Sequence, residues 1–329
     1  MSKARRRIPA LSLLRVLCAV AGMVSLGGCR GTPEETGTLI IFHASSLALP
    51  FRAVSALFEE QHPGVTVQAE AAESGEAARK ITEQHRPCDI FGSADDQVTE
   101  TLLMPQYADF NLRFAGNEMA LAYTDKSRAA GEITPENWPR VLARESVRLA
   151  RADPDRDSCG YRTLLTLQLA EKQYKRPGLA QQLAAKANGR YLRPRETEAL
   201  DLLEGAEVDY IFIYRSVCVQ HELRYVRLPP EINLGQPERA DRYKTATVRV
   251  AGPTPGEYVT VTGTPLVSSV TILKHAPNRA AAEAWVALLL SRDGQQIVRE
   301  NGQTVIAPAR TEQFDKLPAV LQPFCVRGK

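Results

Sequence analysis

The segment 37–57, GTLIIFHASSLALPFRAVSAL, constrains the fold of this chain more than any other stretch. Residues 38–42 form a short apolar run rich in β-branched side chains, which predicts a buried parallel strand. After the turn His43-Ala44-Ser45-Ser46, apolar residues at Phe51, Val54, Leu57 and Phe58 fall at helical spacing, and Pro50 suits a first helical turn. Two serines therefore stand where a strand hands over to a helix N-terminus. Unpaired backbone N–H groups and the positive end of the helix dipole meet there, which favours an anion. A serine at such a place also serves as an ordinary helix cap, so the pattern means more only if it recurs.

It does recur. Residues 65–69 read as a strand after the turn His62-Pro63-Gly64, and Glu73-Ser74-Gly75-Glu76 leads into a helix that runs to Glu83. Residues 89–91 form a short strand, and Ser93-Ala94-Asp95 again precedes a helical segment. This βαβα alternation predicts an α/β fold with a mostly parallel sheet and helices on both faces, and ligands of such sheets bind beyond the carboxyl ends of the strands. Ser45, Ser46, Ser74 and Ser93 all fall at that edge. Farther on, residues 113–124 read as a strand leaving this first lobe, and a second αβ region follows. Its strand 147–150 runs into DPDRDSCGYR (153–162), then a helix beginning with Leu164, Leu165 and Leu167, a helix over 196–203 and a strand over 210–214. Residues 266–273 read as a strand returning to the first lobe, 280–290 as an amphipathic helix, and Gly294 as the start of the next. There is no internal repeat. The expected division is 37–117 with 273–329 in one lobe and 118–272 in the other.

The N-terminus has a separate purpose. Lys3, Arg5, Arg6 and Arg7 precede a mostly apolar run from 11 to 26 that ends in Leu26-Gly27-Gly28-Cys29. This resembles a lipoprotein signal peptide (1–28) with a lipobox, which implies lipidation at Cys29, a short polar tether over 29–36 and a place on the outer face of a membrane. Arg15 interrupts the apolar run and argues against a permanent span. Removing the five basic residues of 1–28 takes the formal charge from +3 to −2, so no basic surface remains to suggest nucleic acid. Cys88, Cys159, Cys218 and Cys325 follow no zinc-site spacing, and an oxidising envelope permits disulfides whose pairing the sequence leaves open.

Several motifs in the same order resemble one family. TLIIFHASSL, AESGEAARKIT, DIFGSAD, LAYTDKS, DSCGYR, YRSV..QH, RYVRLPPEINL and LLLSRDGQQIVRENGQ are similar to the archaeal-type tungstate/molybdate-binding proteins of ABC importers. The resemblance runs from Gly37 to about Ala309. It implies a two-lobed periplasmic-binding-protein fold with two hinge crossings that closes on its ligand. It also implies a monomer that hands tungstate or molybdate to a permease with its ATPase, with no cofactor and no catalysis. Both ligands are tetrahedral dianions, and a ring of hydroxyl and amide donors at helix N-termini suits them.

By this resemblance Ser45, Ser46 and Ser74 are first-lobe donors, and Asp157, Ser158 and Cys159 form the second-lobe turn. Ser158 stands where the family often has proline, and its hydroxyl is either an added donor or idle. A carboxylate facing a buried dianion is repulsive. The family solves this by letting carboxylate oxygens approach the metal centre, expanding its coordination from four towards six, which the smaller centres of phosphate and sulfate do not allow. Asp157 is either that acid or a helix N-cap. Some members carry a second acid where this chain has Ile213; Glu231, in LPPEINL, is then either the replacement or an exposed loop glutamate. Arg162 either holds Asp157, reaches the anion or makes a structural salt bridge. Tyr214 and Arg215 either line the cleft or belong to the hinge, and Asp95 is expected to cap its helix. A receptor for sulfate or phosphate is the alternative within the binding class. A secreted serine hydrolase built on Ser45 with His43 or His221 is the alternative outside it, but H-A-S-S-L is not the G-x-S-x-G elbow.

Overall fold

The computed structural model describes residues 36–252 and 256–328. The expected signal peptide over 1–28, Cys29 and nearly all of the expected tether lie outside the described residues. The first sheet opens with β1 (Gly37–Ala44), β2 (Val65–Ala72), β3 (Ile90–Ser93) and β4 (Leu112–Gly116). The chain then builds β5 (Met119–Tyr123), β6 (Leu149–Ala152), β7 (Leu192–Arg193), β8 (Tyr210–Tyr214) and β9 (Arg224–Arg227), followed by the ribbon of β10 (Thr247–Ala251) and β11 (Tyr258–Thr262). It returns through β12 (Val267–Ile272) and ends with β13 (Thr304–Thr311) and β14 (Cys325–Arg327). One lobe holds a seven-stranded sheet in the order β14-β13-β4-β12-β3-β1-β2, and the other a five-stranded sheet in the order β7-β6-β8-β5-β9.

Both sheets are mixed rather than mostly parallel. β1 lies parallel to β2 and β3, but β12 runs antiparallel to β3 and β4, and β5 runs antiparallel to β8 and β9. The antiparallel strands are those that carry the chain between the lobes. The segment expected as one strand over 113–124 is two, split at Asn117-Glu118, so that β4 joins one sheet and β5 the other. β12 belongs wholly to the first sheet, so the chain is back in that lobe by Val267 rather than at 273.

The apolar run that opened the sequence explains the first core. Side chains alternate along β1, so Leu39 and Ile41 face one side and Phe42 the other. Leu39 and Ile41 pack with Phe51, Val54 and Phe58 of the helix Ala48–Gln61 and with Trp285 of the helix Arg279–Leu290. Phe42 packs with Ala77, Ala78 and Ile81 of the helix Ser74–Thr82. Each such side chain contributes about 1.5–3 kcal/mol on burial, which fixes the carboxyl ends of β1 and β2 at one edge. The second lobe has its own core around Trp138, Tyr210 and Phe212. Among the described residues Cys88, Cys159, Cys218 and Cys325 are free and buried.

The hinge is held by one buried acid. Glu118 Oε1 ion-pairs with Arg215 at 2.8 Å and Arg227 at 2.9 Å, while Oε2 accepts from Asn233 Nδ2 at 2.7 Å. Asn117 N donates to Leu266 O at 3.0 Å, tying the outgoing crossing to the returning one.

Candidate functional site

Strand-to-helix turns of both lobes meet around a cavity of about 160 Å³. That is well below the roughly 300–1,000 Å³ of pockets for drug-sized ligands, and it suits a small ion. From the first lobe the lining includes Ser45 and Ser46 after β1, Glu73, Ser74 and Glu76 after β2, and Ala94 after β3. From the second it includes Arg156, Asp157 and Ser158 after β6, Arg195, Glu196 and Thr197 after β7, and Tyr214 at the end of β8. Six of the residues singled out from sequence thus converge: Ser45, Ser46, Ser74, Asp157, Ser158 and Tyr214.

The hydroxyls differ in their commitments. Ser45 Oγ donates to Ala72 O at 3.1 Å. Ser74 Oγ accepts from Ala94 N at 3.2 Å, which leaves its own proton available. Ser158 Oγ and Tyr214 Oη lie 3.1 Å apart. Ser158 therefore belongs to a hydroxyl pair at the cavity wall rather than being idle.

Asp157 caps two helices at once. Its Oδ1 accepts from Cys159 N at 2.7 Å, at the start of the helix Ser158–Gln173. Its Oδ2 accepts from Glu196 N at 2.9 Å, at the start of the helix Glu196–Glu204. The chain can make this turn because Gly160 sits against backbone: a Cβ there would lie 2.5 Å from the carbonyl carbon of Asp153 and 2.7 Å from Ala152 O. On the other lobe Glu73 Oε2 accepts from Gly75 N at 2.7 Å and from Glu76 N at 3.2 Å.

Two of the residues expected at the site do not line the cavity. Cys159 is fully buried and does not line the cavity; its amide is taken by Asp157, and its thiol donates to Phe212 O at 3.6 Å. Glu231 is also outside the cavity. Its carboxylate ion-pairs with Arg239 at 3.0 Å, and its carbonyl accepts from Arg242 Nε at 3.0 Å. LPPEINL folds as a turn closed by Ile232 N to Pro229 O, and the side chain it sends towards the hinge is Asn233.

The second-lobe acid that reaches the cavity beside Asp157 is Glu196, with Glu73 and Glu76 lining it from the first lobe. Glu196 is buried, and its Oε2 has no hydrogen-bond partner. Burial, and then the neighbouring charge of Asp157, push its carboxyl well above the usual range. Burial also raises Asp157, against the lowering effect of the two amides it accepts from, and raises Glu73. Arg156 and Arg195 add positive charge at the lining, so the cavity is not made of neutral donors alone. The only hint of Glu196 in the sequence was a helix start at that position; β7, two residues long, is too short to show a strand period.

The remaining assignments resolve by geometry. Tyr214 lines the cavity, while Arg215 pairs with Glu118 at the hinge. Asp95 caps its helix by accepting from Gln97 N at 3.1 Å. Arg162 pairs with neither Asp157 nor the cavity but with Asp95, at 2.8 Å. His43 is buried, with Nδ1 2.9 Å from Ala44 O and its ring packed edge-on against Phe51. His221 pairs with Glu204 at 3.0 Å. Neither histidine lines the cavity that holds Ser45, which removes the base a serine hydrolase would need.

Known proteins agree with this architecture. A solute-binding protein of Petrotoga mobilis is 43% identical over 295 residues, covering 90% of this chain and 92% of that protein. The molybdate/tungstate-binding protein WtpA of Pyrococcus abyssi is 37% identical over 325 residues, covering 91% and 93%. The solved periplasmic molybdate-binding protein of Azotobacter vinelandii superposes with a TM-score of 0.60 at 17% identity, over 82% of this chain and 99% of that one, and shows the same two-lobed fold. Among the described residues no helix is long and apolar enough to cross a membrane. With a family model matching residues 39–304, the chain belongs to the bacterial extracellular solute-binding proteins, which are binding proteins and not enzymes.

Proposed function

We propose that this protein captures tungstate or molybdate between its lobes and delivers it to the permease of an ABC importer. The observation that carries the ligand assignment is Glu196: a buried acid with an unpartnered oxygen, beside Asp157, in a cavity that also presents serine hydroxyls. Two acids repel a fully ionised tetrahedral anion whose central atom cannot accept further oxygens. Around tungsten or molybdenum the same oxygens add to the metal's coordination, so the pair selects by repulsion as well as attraction. Ser46, Ser74 and Ser158 then hold the oxide oxygens, with Arg156 and Arg195 offsetting charge. Relatives named for molybdate and tungstate support the reading.

Closure of the lobes traps the ion, and the permease reads the closed form. Lipidation at Cys29 would keep the receptor at the outer membrane face beside its permease and ATPase. Titration calorimetry on residues 30–329 tests the assignment. Saturable heat with tungstate and molybdate, and none with sulfate or phosphate, is expected. The reverse pattern would reject it.

A further inference from the structure

Arg162 is almost fully buried, at 2 % exposure, and it belongs to the second lobe, on the helix Ser158–Gln173. Its Nη2 donates to Asp95 Oδ2 at 2.8 Å, and Asp95 follows β3 in the first lobe. The same oxygen accepts from Tyr161 Oη at 3.2 Å, so one carboxylate takes two donors from the opposite lobe. The other end of the guanidinium donates through Nη1 to Tyr214 Oη at 2.8 Å, and that hydroxyl lies 3.1 Å from Ser158 Oγ at the cavity. A continuous chain of polar contacts therefore runs from Asp95, through Arg162 and Tyr214, to a hydroxyl of the anion cavity.

A buried guanidinium that loses its carboxylate is costly, because the charge cannot be shed. Swinging the lobes apart takes Asp95 away from Arg162 and Tyr161 together. We propose that Asp95 is the acceptor of a latch between the lobes, with Arg162 and Tyr161 as donors, and that it sets how long the closed cleft retains its anion. Asp95 acts as a positioning residue: it does not line the cavity, although its neighbour Ala94 does. The inference rests on the capture reading above only for its effect on the anion; the latch itself is a property of the lobes.

The test is Asp95→Asn in residues 30–329. Asparagine keeps the helix-capping ability of aspartate while removing the charge that Arg162 needs. Release of bound tungstate after rapid dilution, followed by metal analysis of the retained protein, should quicken about tenfold, with association altered less than about twofold. Small-angle scattering of the ligand-free protein should show a larger radius of gyration for the variant than for the wild type. Asp95→Glu should recover part of both effects. Unchanged release, or unchanged scattering of the ligand-free protein, overturns the proposal. If the wild type binds neither tungstate nor molybdate, the capture reading fails, and scattering alone still decides the latch.

Discussion

Replacing Glu196 by glutamine should move stability and affinity in opposite directions. In the ligand-free protein this acid is buried with an oxygen that nothing satisfies, and burial with the charge of Asp157 holds its carboxyl well above its ordinary value of 4.5. Ionising that carboxyl in its buried place at neutral pH costs about 1–3 kcal/mol, and glutamine, of the same size but with nothing to ionise, should recover about that much. For the roughly 290 described residues, an unfolding entropy near 2.1 cal/mol/K per residue turns this into a rise in Tm of about 2–5 °C.

The sign with pH follows from linkage. The folded protein holds this proton to higher pH than the unfolded chain does, so stability falls as pH rises from 4.5 towards the raised folded value. Below 4.5 both states carry the proton, and variant and wild type should converge. Above it the gap should open. Tungstate affinity should fall instead, by about 10- to 150-fold, for the loss of one contact to a charged group worth about 1.5–3 kcal/mol. Thermal melts across this pH range, with calorimetry for tungstate, measure both. A Tm below wild type at neutral pH, a gap that persists in acid, or unchanged tungstate affinity would refute the reasoning.

Three further variants separate the parts of the site. Glu231→Gln should leave tungstate affinity within about twofold, because that acid is engaged with Arg239 outside the cavity; a clear loss by calorimetry would return it to the site. Arg156→Gln with Arg195→Gln should slow association and flatten its salt dependence in stopped-flow measurements, with a smaller change in release, since both charges are at the cavity lining. Gly160→Ala would drive a Cβ to 2.5 Å from the Asp153 backbone. It should lower stability by about 1–3 kcal/mol in a denaturant titration, and weaken binding through the displaced turn.

What the sequence made legible was what local rules govern. β1 with its following helix and β8 lie where apolar periodicity put them, and Ser45, Ser46 and Ser74 reach one cavity because parallel strands bring such turns to one edge, whereas Ser93 does not line it and bonds to the backbone of Asp95. Asp157 was legible as an N-cap, and it caps two helices, one of them 38 residues downstream of its own turn's Ser158 start. The misses lie where partners are remote. Nothing in LPPEINL says that its glutamate meets Arg239, and nothing local to DSCGYR says that Arg162 crosses to Asp95. Glu196 escaped because the strand that aims it is only two residues long. The return to the first lobe was expected too late because β12 is buried on both faces and pairs on both sides, its Ser268, Ser269 and Thr271 included, so no period marked the boundary.

Capture as proposed requires carboxylate oxygens from this protein to join the oxide oxygens around the bound metal. X-ray absorption at the tungsten edge, on the tungstate complex in solution, measures that directly. More than four oxygens about tungsten are expected in the wild type, and a lower count in Glu196→Gln. Four oxygens at tetrahedral oxide distances in the wild type would contradict the proposal.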